Sequence, residues 1–124
     1  MKKLFTVLFL AGIALFSFGQ NTTISGIINT YTSVSAIAGT TITVGSSAGF
    51  SSGDKVLIIQ MQGATINEGN SSAFGDISSI GDAGNYEFAT ICSIPNATQI
   101  EVNSIQRTYS TTGVIQVISV PVYD

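Results

Sequence analysis

The chain has no histidine, no tryptophan, one cysteine, two prolines and only four Lys or Arg among 124 residues. Each scarcity removes a class of function. Without histidine there is no imidazole base for a Ser-His-Asp or Cys-His catalyst, and no imidazole ligand for a metal. A lone thiol cannot close a disulfide within the chain, which excludes a stapled scaffold. So few cations cannot neutralise a row of phosphates, which excludes a basic nucleic-acid binder. Charged residues make up 9% and hydrophobic ones 44%, the reverse of the balance that keeps a chain disordered. The length suits one domain.

The N-terminus reads as an address. Met1-Lys2-Lys3 is positive, and Leu4 to Phe18 is almost unbroken apolar sequence. A membrane-spanning helix needs roughly 20 such residues, so the run is short for an anchor and fits the apolar centre of a secretory signal peptide. Ser17 and Gly19 are small and two apart, the spacing a signal peptidase prefers. The expected signal peptide is residues 1–19, with Gln20 as the mature N-terminus. An uncleaved anchor is the alternative. No cysteine directly follows the run, which argues against a lipoprotein. Cleavage would remove Lys2 and Lys3 and leave Lys55 and Arg107 against seven acids.

Beyond residue 20, Thr, Val, Ile and Ser dominate, strong helix formers are scarce, and Gly, Asn and Asp punctuate. This composition predicts strands joined by turns. Strands are expected over Thr23–Thr32 (weak), Thr40–Val44, Lys55–Gln62, Tyr86–Ile94, Gln99–Val102 and Val114–Val120. The fold class is therefore all-β, a small barrel or sandwich of about six short strands with one long Gly/Ser-rich loop. The expected organisation is a signal peptide (1–19), an N-terminal segment with a weak strand (20–39) and a β-rich domain (40–124). In Lys55–Gln62, Val56 and Ile58 point one way and Leu57, Ile59 and Met61 the other. That predicts a central strand covered on both faces, with Gln60 and Gln62 as buried or half-buried amides in need of partners. Cys92, in the run Tyr86–Ile94, has no nearby cation in sequence and reads as a small core residue.

There is also an internal echo. Thr41-Ile42-Thr43-Val44 is followed by Phe50, Gly53 and Val56-Leu57-Ile58-Ile59. Gln99-Ile100-Glu101-Val102 is followed by Tyr109, Gly113 and Val114-Ile115-Gln116-Val117. Two such units are too few for a solenoid. They suggest two similar hairpin-like units of one barrel, with coincidence as the alternative because short β-patterns recur easily.

Gly63 to Asn85 is a long small-residue and polar stretch between strong strands. Loops of this length are uncommon without a function. Phe74, Ile77 and Ile80 recur every three residues, which predicts a helical turn or a loop pinned by three apolar contacts. Glu68, Asp76 and Asp82, with Asn67, Asn70 and Asn85 and with Glu87 beyond, are oxygen ligands of the type calcium takes, although their spacing matches neither an EF-hand nor a nonapeptide repeat. Glu68, Asp76 and Asp82 are thus the candidate calcium ligands, set against their reading as solvated turn-formers. A paired-carboxylate glycosidase is conceivable, but nothing in the spacing selects a pair. Asn21-Thr22-Thr23, Asn70-Ser71-Ser72 and Asn96-Ala97-Thr98 fit the N-glycosylation triplet. Tyr31, Tyr86, Tyr109 and Tyr123 could stack on sugars, but the absence of tryptophan weakens a carbohydrate platform, and Tyr86 is expected to pack in or beside its strand.

Three strings carry a family resemblance: Gly53-Asp54-Lys55-Val56-Leu57-Ile58-Ile59-Gln60-Met61-Gln62-Gly63-Ala64, Ala83-Gly84-Asn85-Tyr86-Glu87, and Gly113-Val114-Ile115-Gln116-Val117-Ile118-Ser119-Val120-Pro121-Val122-Tyr123. Over roughly residues 40–124 the chain resembles the N-terminal region of large secreted surface proteins of Bacteroidota, of the gliding-motility and type IX secretion cargo type. The signal sequence ending Phe18-Gly19-Gln20 is similar to theirs as well. The resemblance implies secretion or cell-surface localisation, downstream domains as partners, and a chain that is a fragment of a longer protein. It carries little mechanism.

The expected function is a non-enzymatic extracellular structural or adhesive module, without a cofactor, a nucleic-acid partner or a stable membrane span. Surface glycans or other surface proteins are its possible partners. The alternatives are a glycan- or calcium-binding module using Gly63 to Asn85, and an accessory domain of a secreted hydrolase.

Overall fold

The alternation of β-branched and polar residues becomes a closed barrel. In a computed structural model residues 25–122 are described, and the expected signal peptide lies outside them. Eight strands follow in order: β1 (Tyr31–Ala38), β2 (Thr41–Val44), β3 (Lys55–Gln60), β4 (Thr65–Ile66), β5 (Ile77–Ser79), β6 (Tyr86–Asn96), β7 (Gln99–Val102) and β8 (Ile115–Ser119). Six of them close antiparallel in the order β1-β2-β7-β6-β3-β8, and β4 and β5 form a separate two-stranded ribbon. Closure leaves the barrel no free sheet edge.

The first strand differs from expectation. β1 begins at Tyr31, so residues 25–30 of the expected strand Thr23–Thr32 are not strand, while Thr23 and Ile24 lie outside the described residues. β1 pairs with both β2 and β8. The barrel therefore starts before Thr40, and residues 31–38 are one of its staves. Of its residues Thr32 and Val34 point inward and are buried, and Val34 joins the apolar core.

Inward positions recur every second residue. Val34, Ile42, Val44, Val56, Ile58, Ala89, Ile91, Ile100, Val102, Ile115 and Val117 fill the interior, joined by Phe50 from the β2–β3 loop. Burying each large aliphatic side chain stabilises the fold by about 1.5–3 kcal/mol. β-branched residues suit both the pleat and the narrow lumen.

The two echoing units pair with each other. Ile42 faces Ile100 in the β2–β7 ladder, and Ile58 faces Val117 in the β3–β8 ladder. Backbone hydrogen bonds come in matched pairs about a pseudo-twofold axis through these two ladders. Val44 N–H donates to Thr98 O (2.9 Å) and Val102 N–H to Thr40 O (3.0 Å). Met61 N–H donates to Val114 O and Val120 N–H to Lys55 O, both at 2.8 Å. Gln60 N–H donates to Asn85 O (2.9 Å) and Ser119 N–H to Thr30 O (2.7 Å). Residues 30–60 and 85–119 are thus two copies of one β-unit. The structural match in the last strands is one residue out from the sequence echo: Val56 corresponds to Ile115, because Val114 sits in the left-handed region (φ 51°, ψ 89°) just before β8.

The axis exchanges the two ends of the barrel. Phe50 plugs one end from the β2–β3 loop and Tyr109 packs against the core at the other from the β7–β8 loop. Thr30 and Ser119 are bonded together at the first end. The stretch joining the repeats, Met61 to Asn85, leaves from the opposite end, where Gln60 pairs with Ile115.

Candidate functional site

At the end from which that stretch leaves, polar side chains lock the loops. Gln60 is fully buried. Its Nε2 donates to Gln62 O (2.6 Å), and its Oε1 accepts from Ser110 N–H (2.7 Å). Gly113 and Gly63 make room for it: a Cβ at Gly113 would collide with Gln60 Nε2 and Gln62 O, and one at Gly63 would lie 2.8 Å from Gln60 Nε2. The expected need of Gln60 for partners is met by backbone, whereas Gln62 is exposed. Glu87 is the second lock. Its carboxylate accepts from Gln106 N–H (2.8 Å) and Arg107 N–H (3.0 Å). Thr32, its counterpart in the first repeat, accepts from Ser46 N–H (3.1 Å) at the other end. Glu87 thus fastens a loop and stands apart from the other acids.

Tyr109 lies beside Glu87. Burial first, and then hydrogen bonding and charge from the Glu87 carboxylate, hold its phenol well above the ordinary tyrosine range. Its hydroxyl oxygen is buried with no hydrogen-bond partner of good geometry. Such a group resists ionising, because the phenolate would be both desolvated and next to a carboxylate.

The stretch beyond Gln60 is neither a helical turn nor a pinned loop. It is a ribbon: Thr65 pairs with Ser79 and Ile66 with Ile77. Asn67 N–H donates to Asp76 O (2.8 Å) and Gly75 N–H to Asn67 O (2.7 Å). Asn67 Oδ1 caps the turn by accepting from Gly69 N–H (2.8 Å). The three apolar residues meant to pin it face solvent instead: Phe74 is 68% exposed, Ile77 65% and Ile80 64%, with Ile66 at 50%. The period of three does not mark a buried face.

The ribbon does not gather the calcium candidates. Among the described residues no group of three or more His, Cys, Asp or Glu could hold a metal ion. Glu68 lies in the ribbon's turn and Asp76 just before β5. Asp82 Oδ1 accepts weakly from Asn85 Nδ2 (3.4 Å). Asn85 Nδ2 also donates to Thr108 O (2.9 Å), so this asparagine ties loops together.

A second exposed surface lies on the barrel wall. β3 is covered only on its inner face. Outside, a cross-strand row runs Tyr31–Ile118–Leu57–Phe88 over β1, β8, β3 and β6, with Ile59 beside Tyr86 in the next row. Tyr86 meets Phe88 edge to face, centroids 6.5 Å apart, and Lys55 Nζ sits 5.0 Å from the Phe88 centroid. Tyr31, Tyr86 and Phe88 are each more than half exposed. The sequence signal for this surface was the outward phase of four strands, legible only once their neighbours were known.

Cys92 is exposed rather than a core residue. It falls on the outward phase of β6, between inward Ile91 and half-buried Ser93. An open cleft of about 350 Å³ lies between Gly49, Gly53–Lys55 and Ser119–Val122. Its charged groups are engaged: Asp54 Oδ2 accepts from Ser51 N–H (2.8 Å) and Lys55 lies over Phe88. No helix among the described residues is long and apolar enough to cross a membrane.

No protein-family model, no curated protein and no solved structure matches the chain. The fold and the two apolar surfaces therefore carry the functional reading.

Proposed function

We infer that the chain is a non-enzymatic structural or adhesive module, exported by its N-terminal signal sequence and placed at the start of a secreted or cell-surface protein of the Bacteroidota type IX cargo kind. The ribbon is its contact element. The observation that carries this reading is polarity. Thr30 and Ser119, where the chain enters and leaves the barrel, are bonded at one end, and the ribbon projects from the other with four large apolar side chains exposed. A barrel held at one end presents that ribbon at its opposite end. Exposed apolar groups clustered on a projecting element mark interaction sites. The ribbon is also the one sheet among the described residues with open edges, and such edges accept further strands.

The test is attachment. Beads coated with the mature chain bind the envelope of the producing cells, and beads coated with a chain lacking Ala64–Gly81 do not. The deletion is mild for the barrel, because Gly63 and Asp82 are already close: the Cβ position of Gly63 lies 3.7 Å from Asp82 N. Equal attachment by both chains would refute the reading.

A further inference from the structure

We propose that the ribbon's partner is a second copy of this chain: the ribbon of one copy docks on the Tyr31–Ile118–Leu57–Phe88 wall of the next, forming an open head-to-tail assembly. The proposal rests on the reading of the ribbon as the contact element and adds its occupant.

Both halves of the contact lie on one chain. The ribbon offers Ile66, Phe74, Ile77 and Ile80, all at least half exposed. Its stretch, residues 61–85, carries Glu68, Asp76 and Asp82 and no cation. The wall offers Tyr31, Tyr86 and Phe88 around half-buried Leu57, Ile59 and Ile118. Its one charge is Lys55, over Phe88. Neighbouring Asp54 turns its carboxylate back to Ser51 N–H.

Charge selects the pairing. Ribbon against ribbon would oppose three acids with three acids, and wall against wall would oppose Lys55 with Lys55, each an unfavourable juxtaposition. Ribbon against wall brings the acidic element to one of the two cations among the described residues, Lys55 and Arg107. It also covers apolar surface on both sides. Because the two surfaces differ, the contact is heterologous, and a heterologous contact that does not close on itself grows as a chain.

The experiment is sedimentation velocity of the mature chain, residues 20–124, across a concentration series with reductant present to silence Cys92. Two double variants are compared: Phe74→Ser/Ile77→Ser in the ribbon and Tyr31→Ser/Phe88→Ser on the wall, each checked for cooperative thermal unfolding. The wild type is expected to grow through an open-ended series. Each variant alone stays monomeric, with association weakened roughly tenfold or more, as for loss of interface anchors. An equimolar mixture forms dimers and stops, because each variant keeps the surface the other lost. The single variant Lys55→Glu, which leaves both apolar surfaces in place, also weakens growth. A wild type that stays monomeric, a closed dimer, or a mixture that does not pair would overturn the proposal. The two readings fail separately. Ribbon-dependent attachment to cells by a strictly monomeric chain refutes self-docking alone. Chain growth that obeys the mixing rule, with cell attachment unaffected by ribbon deletion, refutes the envelope contact alone.

Discussion

Ile42 stands directly across from Ile100 in the β2–β7 ladder, and both side chains are fully buried. Each is the other's counterpart in the repeat, so the barrel's pseudo-twofold axis passes between them. One consequence is economy: a single pattern of inward Val and Ile, used twice, closes a sheet that one copy would leave open at both edges. Another is placement, since the link between copies must emerge opposite the paired chain ends.

That placement predicts a tolerated circular permutation. Thr30 N–H donates to Ser119 Oγ (2.8 Å) and Ser119 N–H to Thr30 O (2.7 Å), so a short Gly-rich linker from Val122 to Ser25 can join the old ends. New termini between Asn70 and Ser71 fall in the exposed turn of the ribbon, the kind of site that accepts a break. The permuted chain should unfold cooperatively, within about 1–2 kcal/mol of the parent in urea, a cost typical of a modest local change. Failure to fold would show that the ribbon holds the halves together.

Gln60 is the residue whose loss the lock makes most costly. Gln60→Leu keeps the volume but strands Ser110 N–H and Gln62 O. An unsatisfied buried group costs about 1–3 kcal/mol, so the urea midpoint should fall accordingly. Gly113→Ala drives a methyl into Gln60 Nε2 and Gln62 O and should cost about 1–3 kcal/mol by overpacking. The double variant should lose less than the sum, because both changes break one contact. Strict additivity would contradict the lock.

Tyr109 sets an alkaline limit. Its phenol is raised in the fold, so the protonated form is favoured there. The stabilisation is fully present below the unfolded tyrosine value of about 10, and it is lost as pH rises through the higher folded value. Titration at the phenolate absorbance should show one late component, absent from Tyr109→Phe. That variant also removes the buried hydroxyl, so above the unfolded tyrosine value its stability should fall less steeply with rising pH than the parent's.

Much of the barrel was legible in the sequence, and the reasons are local. Strands β2, β6, β7 and β8 announce themselves by their β-branched, turn-bounded runs and β3 by its continuous apolar run, and Phe50 and Tyr109 by their place in the echo. β1 was displaced because its outward residues, Ser33 and Ser35, dilute the apolar signal. Cys92 and the ribbon misled for one reason: an apolar side chain in a β-rich chain looks buried until pairing decides which way it points. The wall was invisible because Tyr31 and Phe88 are 57 residues apart in sequence and meet only through β8 and β3. Glu87 looked like one more acid, since its role depends on two loop amides that nothing nearby in sequence specifies.

Processing is predicted at Gly19. Mass spectrometry of the product exported from cells expressing residues 1–124 should give a mature chain beginning at Gln20. A secreted product that keeps Lys2 and Lys3 would contradict export by signal-peptide cleavage.

The most direct test of the ribbon as contact element is amide hydrogen exchange, on the mature chain alone at a dilution where it is monomeric and then bound to the envelope fraction of producing cells. In the free chain, barrel amides such as those of Ile58 and Val117 should be protected and those of residues 64–81 should exchange fast. On binding, protection should appear in residues 64–81 while residues 25–30 and 120–122 stay unchanged. Protection confined to the end where the chain enters and leaves, with the ribbon still exchanging freely, would contradict the account.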